Sequence, residues 1–286
     1  MIPFSLPTVL LGAAVSTLAI GRGLKKKSLS KAGAAAAWLV GFLSVASGLR
    51  GFVLLFFYQI GSSATKYKKE WKEKRDATAA EGSQRGPSQV LACSAVAVIL
   101  SMIHVYFCGE ERPIDFAENP LASSLTCAVL AHHATCLADT LASELGMLSS
   151  TPPVLITAPW KQVPAGTNGG VTVWGTACSA IGGALMGIGT ILMDYLSGLA
   201  VTRTAGLVVL YGTVCGLVGS LADSFLGAII QGTYFDPETK RIHHENVPGF
   251  KHIAGANILT NVQVNLLSIF FTTAIGGWFL GPNMFP

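Results

Sequence analysis

Long apolar runs separated by short polar connectors set the pattern of this chain. Eight runs reach or approach the length of about 20 residues that crosses a bilayer: residues 3–20, 33–49, 51–64, 90–107, 121–145, 171–200, 204–231 and 257–280. The pattern predicts an all-α, polytopic transmembrane helix bundle of about eight spans. Residues 33–64 form one apolar stretch interrupted only by Arg50 and Gln59. A single helix of that length overshoots the hydrocarbon, so a hairpin turning at residues 48–51 is expected, with one long tilted or re-entrant helix as the alternative. One polar stretch stands apart, at 65–89. Its first half alternates charges among good helix formers and reads as a solvated surface helix, while Gly82, Gly86 and Pro87 break its second half. Nothing else divides the chain, so residues 1–286 are expected to form a single membrane domain.

Composition agrees with the pattern. Hydrophobic residues make up 51% of the chain and charged residues 12%, against about 25% charged in ordinary soluble domains; the mean hydropathy is +0.53. Charge gives the bundle a direction, because Lys and Arg gather on the cytosolic side. Of 19 basic residues, sixteen fall in alternate connections: Arg22, Lys25, Lys26, Lys27 and Lys31; Lys66, Lys68, Lys69, Lys72, Lys74, Arg75 and Arg85; Lys161; Lys240, Arg241 and Lys251. Arg50, Arg112 and Arg203 remain for the other face. Fusing the second and third spans would put the two most basic segments on opposite faces, which favours the hairpin and makes both termini non-cytosolic. The net charge of +4 is then juxtamembrane charge near anionic lipid, with no nucleic-acid partner implied. The first span lacks the basic n-region of a cleaved signal peptide.

Six cysteines sit in or beside spans without a CxxC pair and read as buried thiols. The pairs His132–His133 and His243–His244 are adjacent in sequence and point about 100° apart on a helix, a poor arrangement for chelation. His243, His244 and His252 keep a residual role in proton or phosphate contact.

Carboxylates inside a span are costly and therefore functional candidates. Asp139, Glu144 and Asp223 qualify, whereas Asp194 lies near the opposite end of its span. On a helix Asp139, Ser143, Thr140 and Glu144 fall at about 0°, 40°, 100° and 140°, one polar arc. Leu137-Ala138-Asp139-Thr140 returns as Leu221-Ala222-Asp223-Ser224, placing two Asp-hydroxyl pairs at comparable depth. Asn257, Asn261, Asn265 and Ser268 share a face of the last span, with Gln263 turned away. Gly183-x-x-x-Gly187 and Gly212-x-x-x-Gly216 are helix-packing motifs. The turn of Gly166, Thr167, Asn168, Gly169 and Gly170 before a span either presents backbone amides to an anion or caps the helix through Thr167 or Asn168. No GxxxxGK[ST] loop occurs. Carboxylates, amides and lysines together at one membrane face point to phosphate chemistry: Asp139 and Asp223 for Mg²⁺, with Lys66, Lys161 and the glycine turn for phosphate oxygens. Glu144, Thr140, Ser143, Ser224, Asn261 and Asn265 would support them. No histidine belongs clearly to this cluster, so a Ser-His-Asp hydrolase is not supported.

These residues resemble the eukaryotic transmembrane-protein-19 family, part of the domain-of-unknown-function-92 group that also includes plant phytyl phosphate kinases. The resemblance rests on GLKKKSLSKAGAAAAWLVGF (23–42), FF followed by TKYK (56–68), EGSQR (81–85), ADTLASELG (138–146), VPAGTNGGVTVWG (163–175), GSLADSFLGAIIQ (219–231) and HIAG with VNLLS (252–268). Val262 stands where the family usually has a second asparagine, leaving Asn261 and Asn265 as the candidates there; Ala165 replaces a usual Val. ADTLASELG is also similar to Asp-bearing segments of CTP-using dolichol kinases and phosphatidate cytidylyltransferases. The resemblance implies a kinase that converts an isoprenoid lipid monophosphate to its diphosphate with CTP or ATP and Mg²⁺, in the endoplasmic reticulum or another endomembrane. The rival expectation is a transporter or scramblase of a lipid phosphate or other anion. A purely structural membrane subunit would not need carboxylates on several helices.

Overall fold

The computed structural model describes residues 1–77, 84–200 and 204–285; Glu81, Gly82 and Ser83 of the EGSQR motif, and Arg203, lie outside them. The chain is an integral, multi-pass helical membrane protein, and side-chain caps start a few of its helices. After α1 (Leu6–Lys25), Ser30 Oγ accepts the Gly33 amide and opens α2 (Lys31–Ser47). At Gly48 the backbone leaves the helix, a 3₁₀ turn covers Leu49–Gly51, and α3 (Phe52–Lys66) runs back. The return is shown at its far end, where Lys66 Nζ donates to Lys26 O at 3.2 Å and Ser28 Oγ lies 2.9 Å from Tyr58 Oη. The hairpin is therefore present and the single long helix is not.

The short α4 (Lys69–Glu73), α5 (Pro87–Ala92) and α6 (Ala95–Cys108) follow. Then come α7 (Pro120–Gly146), α8 (Val173–Leu196), α9 (Ala205–Ile230) and α10 (Asn261–Ile275); a π turn at Gly276–Leu280 joins α10 to α11 (Gly281–Met284). Thr260 and Gln263 form a reciprocal capping box, which starts α10 four residues later than the apolar run begins. Asn257 therefore lies before the helix, and Gln263, turned from the polar face, serves the cap.

Contacts between loops sort the rods into two faces. On one face the N-terminal amine meets Glu110 at 3.4 Å, and the Leu49 and Arg50 amides donate to Glu111 at 3.1 and 2.8 Å. On the other, Arg85 N donates to Ser28 O at 3.0 Å, Lys72 pairs with Glu144, and Asn168 N donates to Thr233 Oγ1 at 3.1 Å. This is the alternation that the basic residues predict. Rod lengths differ from expectation, however. Five rods (Leu6–Lys25, Pro120–Gly146, Val173–Leu196, Ala205–Ile230 and Asn261–Met284) have the length and apolarity of a full crossing. α2, α3 and α6 have only 17, 15 and 14 residues; at about 1.5 Å per residue all three fall below the hydrocarbon thickness of about 30 Å.

The 27-residue α7 is the axis of the bundle, buried along most of its length among α3, α6, α8, α9 and α10. Its many Ala, Ser, Thr and Cys side chains keep it thin enough to sit there. α8 and α9 touch at backbone distance: a Cβ on Gly183 would stand 2.2 Å from Gly212 O, as the small-residue spacing predicts. Two small antiparallel sheets cover the basic face. One has the order β2-β1-β3 (Ala158–Gln162, Val154–Leu155, Gly170–Val171), the other β5-β4-β6 (Arg241–His243, Thr233–Asp236, Lys251–Ala254). The 65–89 segment is more than a solvated helix, since Lys72 is 2% exposed. All six cysteines are free.

Candidate functional site

A groove runs along α1, α2 and α3 on the basic half of the bundle. Its walls are apolar, from Ile20 on α1, Val40 on α2, and Leu54 and Phe57 on α3, with Cys93 on the far side. Its polar residues include Tyr58, Arg85, Gln89, Thr140 and Asn265, with Ser16 and Ser94. An apolar pocket with a few convergent polar groups is the usual form of a ligand site.

Thr140 and Asn265 connect the groove to the two aspartates. Thr140 Oγ1 donates back to Cys136 O at 2.8 Å, so the hydroxyl is fixed one residue after Asp139. Asp223, 9% exposed, accepts Ser268 Oγ at 2.9 Å. With its amide nitrogen turned inward, Asn265 donates to the same Asp223 oxygen at 3.1 Å and to Asn261 O at 3.0 Å. The charge of Asp223 reaches Asp139. No hydrogen bond reaches the Asp139 carboxylate among the described residues. Two carboxylates thus lie within electrostatic reach of one another, next to the groove residues Thr140 and Asn265; α10 holds Asp223, and among the described residues no hydrogen bond holds Asp139. The matched depth follows from parallel packing of α7 and α9: Tyr211 Oη donates to Cys127 O, and four residues later in α9 Cys215 O accepts Thr135 Oγ1.

The other candidates divide. Lys66 stands within reach of the charges of Lys26, Lys69 and Arg85, on the groove side of the basic face. Glu144 is paired with the buried Lys72, whose Nζ also donates to Ala64 O and Thr65 O at 3.1 and 2.7 Å, so it braces α3 against α7. Ser143 is exposed and donates to Thr140 O, while Ser224 is only partly buried. Asn261 Oδ1 accepts Gln231 Nε2 at 3.4 Å. Lys161 lies on the exposed face of β2 and donates to Ile253 O at 3.0 Å.

The glycine turn is neither open nor a cap. The amides of Thr167, Asn168 and Gly170 donate to Pro164 O, Thr233 Oγ1 and Thr167 O. The α8 cap is Thr172, whose Oγ1 accepts the Gly175 amide at 2.9 Å; β3 intervenes, which corrects the capping role given to Thr167 or Asn168. Gly169, at φ +74°, lets the turn press onto α9, where a Cβ would stand 2.3 Å from that of Ala228. The turn seats the end of α9 about one turn beyond Asp223. Asn168 Nδ2 lies 3.1 Å from His244 Nδ1, and His244 Nε2 lies 3.7 Å from Asp76. Among the described residues no group of three or more His, Cys, Asp or Glu is placed to hold a metal.

Arg85 is the residue that sequence reasoning left out of the site, counting it as a basic juxtamembrane charge and as the end of the EGSQR motif. A parallel bridge to Leu29 fixes its backbone, with Ser30 N donating to Arg85 O at 3.2 Å. Its guanidinium enters the groove, donates to Ser62 Oγ at 3.3 Å and lies 5.8 Å from the Tyr58 ring centre. Among the described residues no carboxylate pairs with it. The legible signal was a lone Arg directly before Gly86-Pro87, where the next helix fixes its position.

Residues 14–273 match the family model described as Integral membrane protein DUF92. The chain belongs to that family. It is 34% identical over 264 residues to Protein PGR of Arabidopsis thaliana, covering 91% of each chain. It is 27% identical to an uncharacterized membrane protein of Synechocystis, over 86% of this chain and 87% of the relative. Similarity to Protein VTE6, chloroplastic, of Arabidopsis thaliana is 31% over 159 residues, covering 55% of this chain and 45% of the relative. No solved structure matches the chain.

Proposed function

We propose that the protein is a membrane phosphotransferase that extends an isoprenoid lipid monophosphate to its diphosphate with CTP or ATP. The observation carrying this reading is the single groove whose apolar walls suit a lipid tail and whose polar residues include Arg85, Thr140 and Asn265, next to Asp139 and Asp223. Membership of a family whose group includes phytyl phosphate kinases supports it. In the reaction a lipid phosphate oxygen forms a bond to the γ-phosphorus as the bond from that phosphorus to the β–γ bridging oxygen breaks, leaving a nucleoside diphosphate. Arg85 would hold the lipid phosphate and Lys66 would add positive charge at the groove. The carboxylate pair suits Mg²⁺, a hard cation that takes a few oxygen ligands and keeps water and phosphate for the rest. When bound, Mg²⁺ would neutralise phosphate charge; Asp139 and Asp223 would hold it, with Ser268 and Asn265 orienting Asp223.

The outer end of the bundle favours an enzyme over a transporter or scramblase. Arg50 joins Asp194 and Thr126 there and ties the α2–α3 turn to α7 and α8. The break between α5 and α6 at Cys93, on the groove wall, favours the second reading. Purified protein given phytyl or geranylgeranyl monophosphate with CTP or ATP is expected to form the diphosphate, and Asp139→Asn to reduce it to background. Absence of product above that control would sink the kinase; lipid-phosphate flux across vesicles without product would select the transporter.

A further inference from the structure

Arg85 reaches the groove by lying across α3. Its Nη1 donates to Ser62 Oγ at 3.3 Å, and its Nη2 comes beside the preceding residue, Gly61. Among the described residues no acceptor takes a hydrogen from Nη2. A Cβ on Gly61 would stand 3.7 Å from that nitrogen, 3.4 Å from Thr140 Cγ2 and 3.8 Å from Phe57 Cε2. Arg85, Thr140 and Phe57 all line the groove. The missing side chain of one buried residue therefore leaves a space bounded by a guanidinium donor, the residue after Asp139 and the apolar wall.

Close helix packing does not account for this glycine. Where helices of the bundle cross on glycine, backbone blocks the added carbon: on Gly183 it would stand 2.2 Å from Gly212 O, and on Gly182 2.7 Å from Ala138 Cα. At Gly61 the three nearest atoms all belong to side chains, at ordinary contact distance. Its backbone has no positive φ that would demand glycine. Alanine would fit there, and inside a helix such as α3 it is the better helix former. What a side chain would exclude is a ligand atom. An oxygen accepting from Nη2 lies about 2.9 Å from it, in space that a methyl 3.7 Å from the same nitrogen would share.

We propose that Gly61 is a specificity-determining residue, which keeps open the seat of a lipid phosphate between Arg85 and Thr140. The proposal rests on the reading that the groove takes an isoprenoid lipid monophosphate. A phosphate offers Arg85 charged oxygens, whereas a lipid alcohol offers one neutral hydroxyl and gains little from the seat. Lys66 adds a second cation within electrostatic reach of Arg85. Thr140 puts the seat one residue from Asp139, beside the carboxylate pair.

Equilibrium binding of geranylgeranyl monophosphate and of geranylgeraniol to full-length protein in nanodiscs tests it, beside thermal unfolding. Wild type is expected to bind the monophosphate more tightly than the alcohol. Gly61→Ala should unfold at the wild-type temperature or slightly above it and bind the alcohol unchanged. It should bind the monophosphate about tenfold more weakly, the loss of one charged hydrogen bond, and Gly61→Val should lose more. Gly206→Ala, with the same gain in helix preference and open space around it, is expected to leave both affinities unchanged. Wild-type affinity of Gly61→Ala for the monophosphate overturns the proposal, as does an equal loss for both ligands. A lower unfolding temperature for Gly61→Ala would reveal a packing glycine and overturn it too. The kinase reading fails separately: with this binding pattern and no diphosphate formed, the seat stands and the reaction falls. Diphosphate formed at the same KM in wild type and Gly61→Ala leaves the reaction standing and removes the seat.

Discussion

At the scale of single residues, Arg85, which has no carboxylate partner among the described residues, separates a binding groove from a packing defect. A guanidinium on an apolar wall with one long hydrogen bond to Ser62 has donors to offer, and a phosphate accepts two at once. Hydrogen bonds to charged groups contribute about 1.5–3 kcal/mol, and about 1.4 kcal/mol is tenfold in affinity. Arg85→Ala is accordingly expected to raise the KM for the lipid phosphate by about tenfold or more, with a smaller change in the KM for nucleotide. Equal effects on both would place Arg85 in general architecture. Arg85→Lys should recover only part of the loss, since an ammonium lacks the planar fork. Glu144 shows the converse case. Its charge and helical phase single it out beside Asp139, but Lys72, remote in sequence, claims it. Helical phase shows which groups share a face; it does not show which already have partners.

At the scale of elements, legibility followed the range of the forces involved. Apolar runs and their order were readable because helix formation in lipid is dictated by each segment's own backbone. The α2–α3 hairpin was readable because basic residues flank it on one side. The small sheets on the basic face were not, since their strands of two to five residues have no period to detect. Their pairing explains why the glycine turn seats α9 while Thr172 caps α8. Glycine spacing was legible and can be tested. Gly183→Leu places side-chain atoms against the Gly212 backbone, where even a Cβ has 2.2 Å, and overpacking of this kind costs about 1–3 kcal/mol. Thermal unfolding in detergent should show a clear drop for Gly183→Leu. Gly206→Ala, with open space around the added carbon, should be neutral or slightly stabilising through helix propensity. Equal behaviour of the two would remove close α8–α9 contact as a source of stability.

At the scale of the molecule, the two faces have different tasks, and electrostatics distinguishes them. The basic face carries the groove, Arg85 and the aspartate pair; the outer face carries the network of Arg50 with Asp194 and Glu111. Glu111, in the loop between α6 and α7, is the titratable member of that network outside the membrane-spanning helices. Burial raises its carboxyl above the usual range, and Arg50 with the Leu49 and Arg50 amides only partly opposes this. A carboxyl raised in the folded state binds its proton more tightly there than in the unfolded chain. Stability from this residue is therefore greatest below the ordinary carboxylate range, and falls as pH rises through that range to the raised folded value. Glu111→Gln keeps an acceptor for the turn amides and cannot ionise, so it should flatten this part of the stability–pH profile and equal or exceed wild type near neutral pH. Thermal unfolding across mildly acid to neutral pH measures the difference directly. A variant with the wild-type slope would show that Glu111 titrates alike folded and unfolded. A variant much weaker at every pH would show that the charge itself holds the α2–α3 turn, with the attraction of Arg50 outweighing the cost of burial.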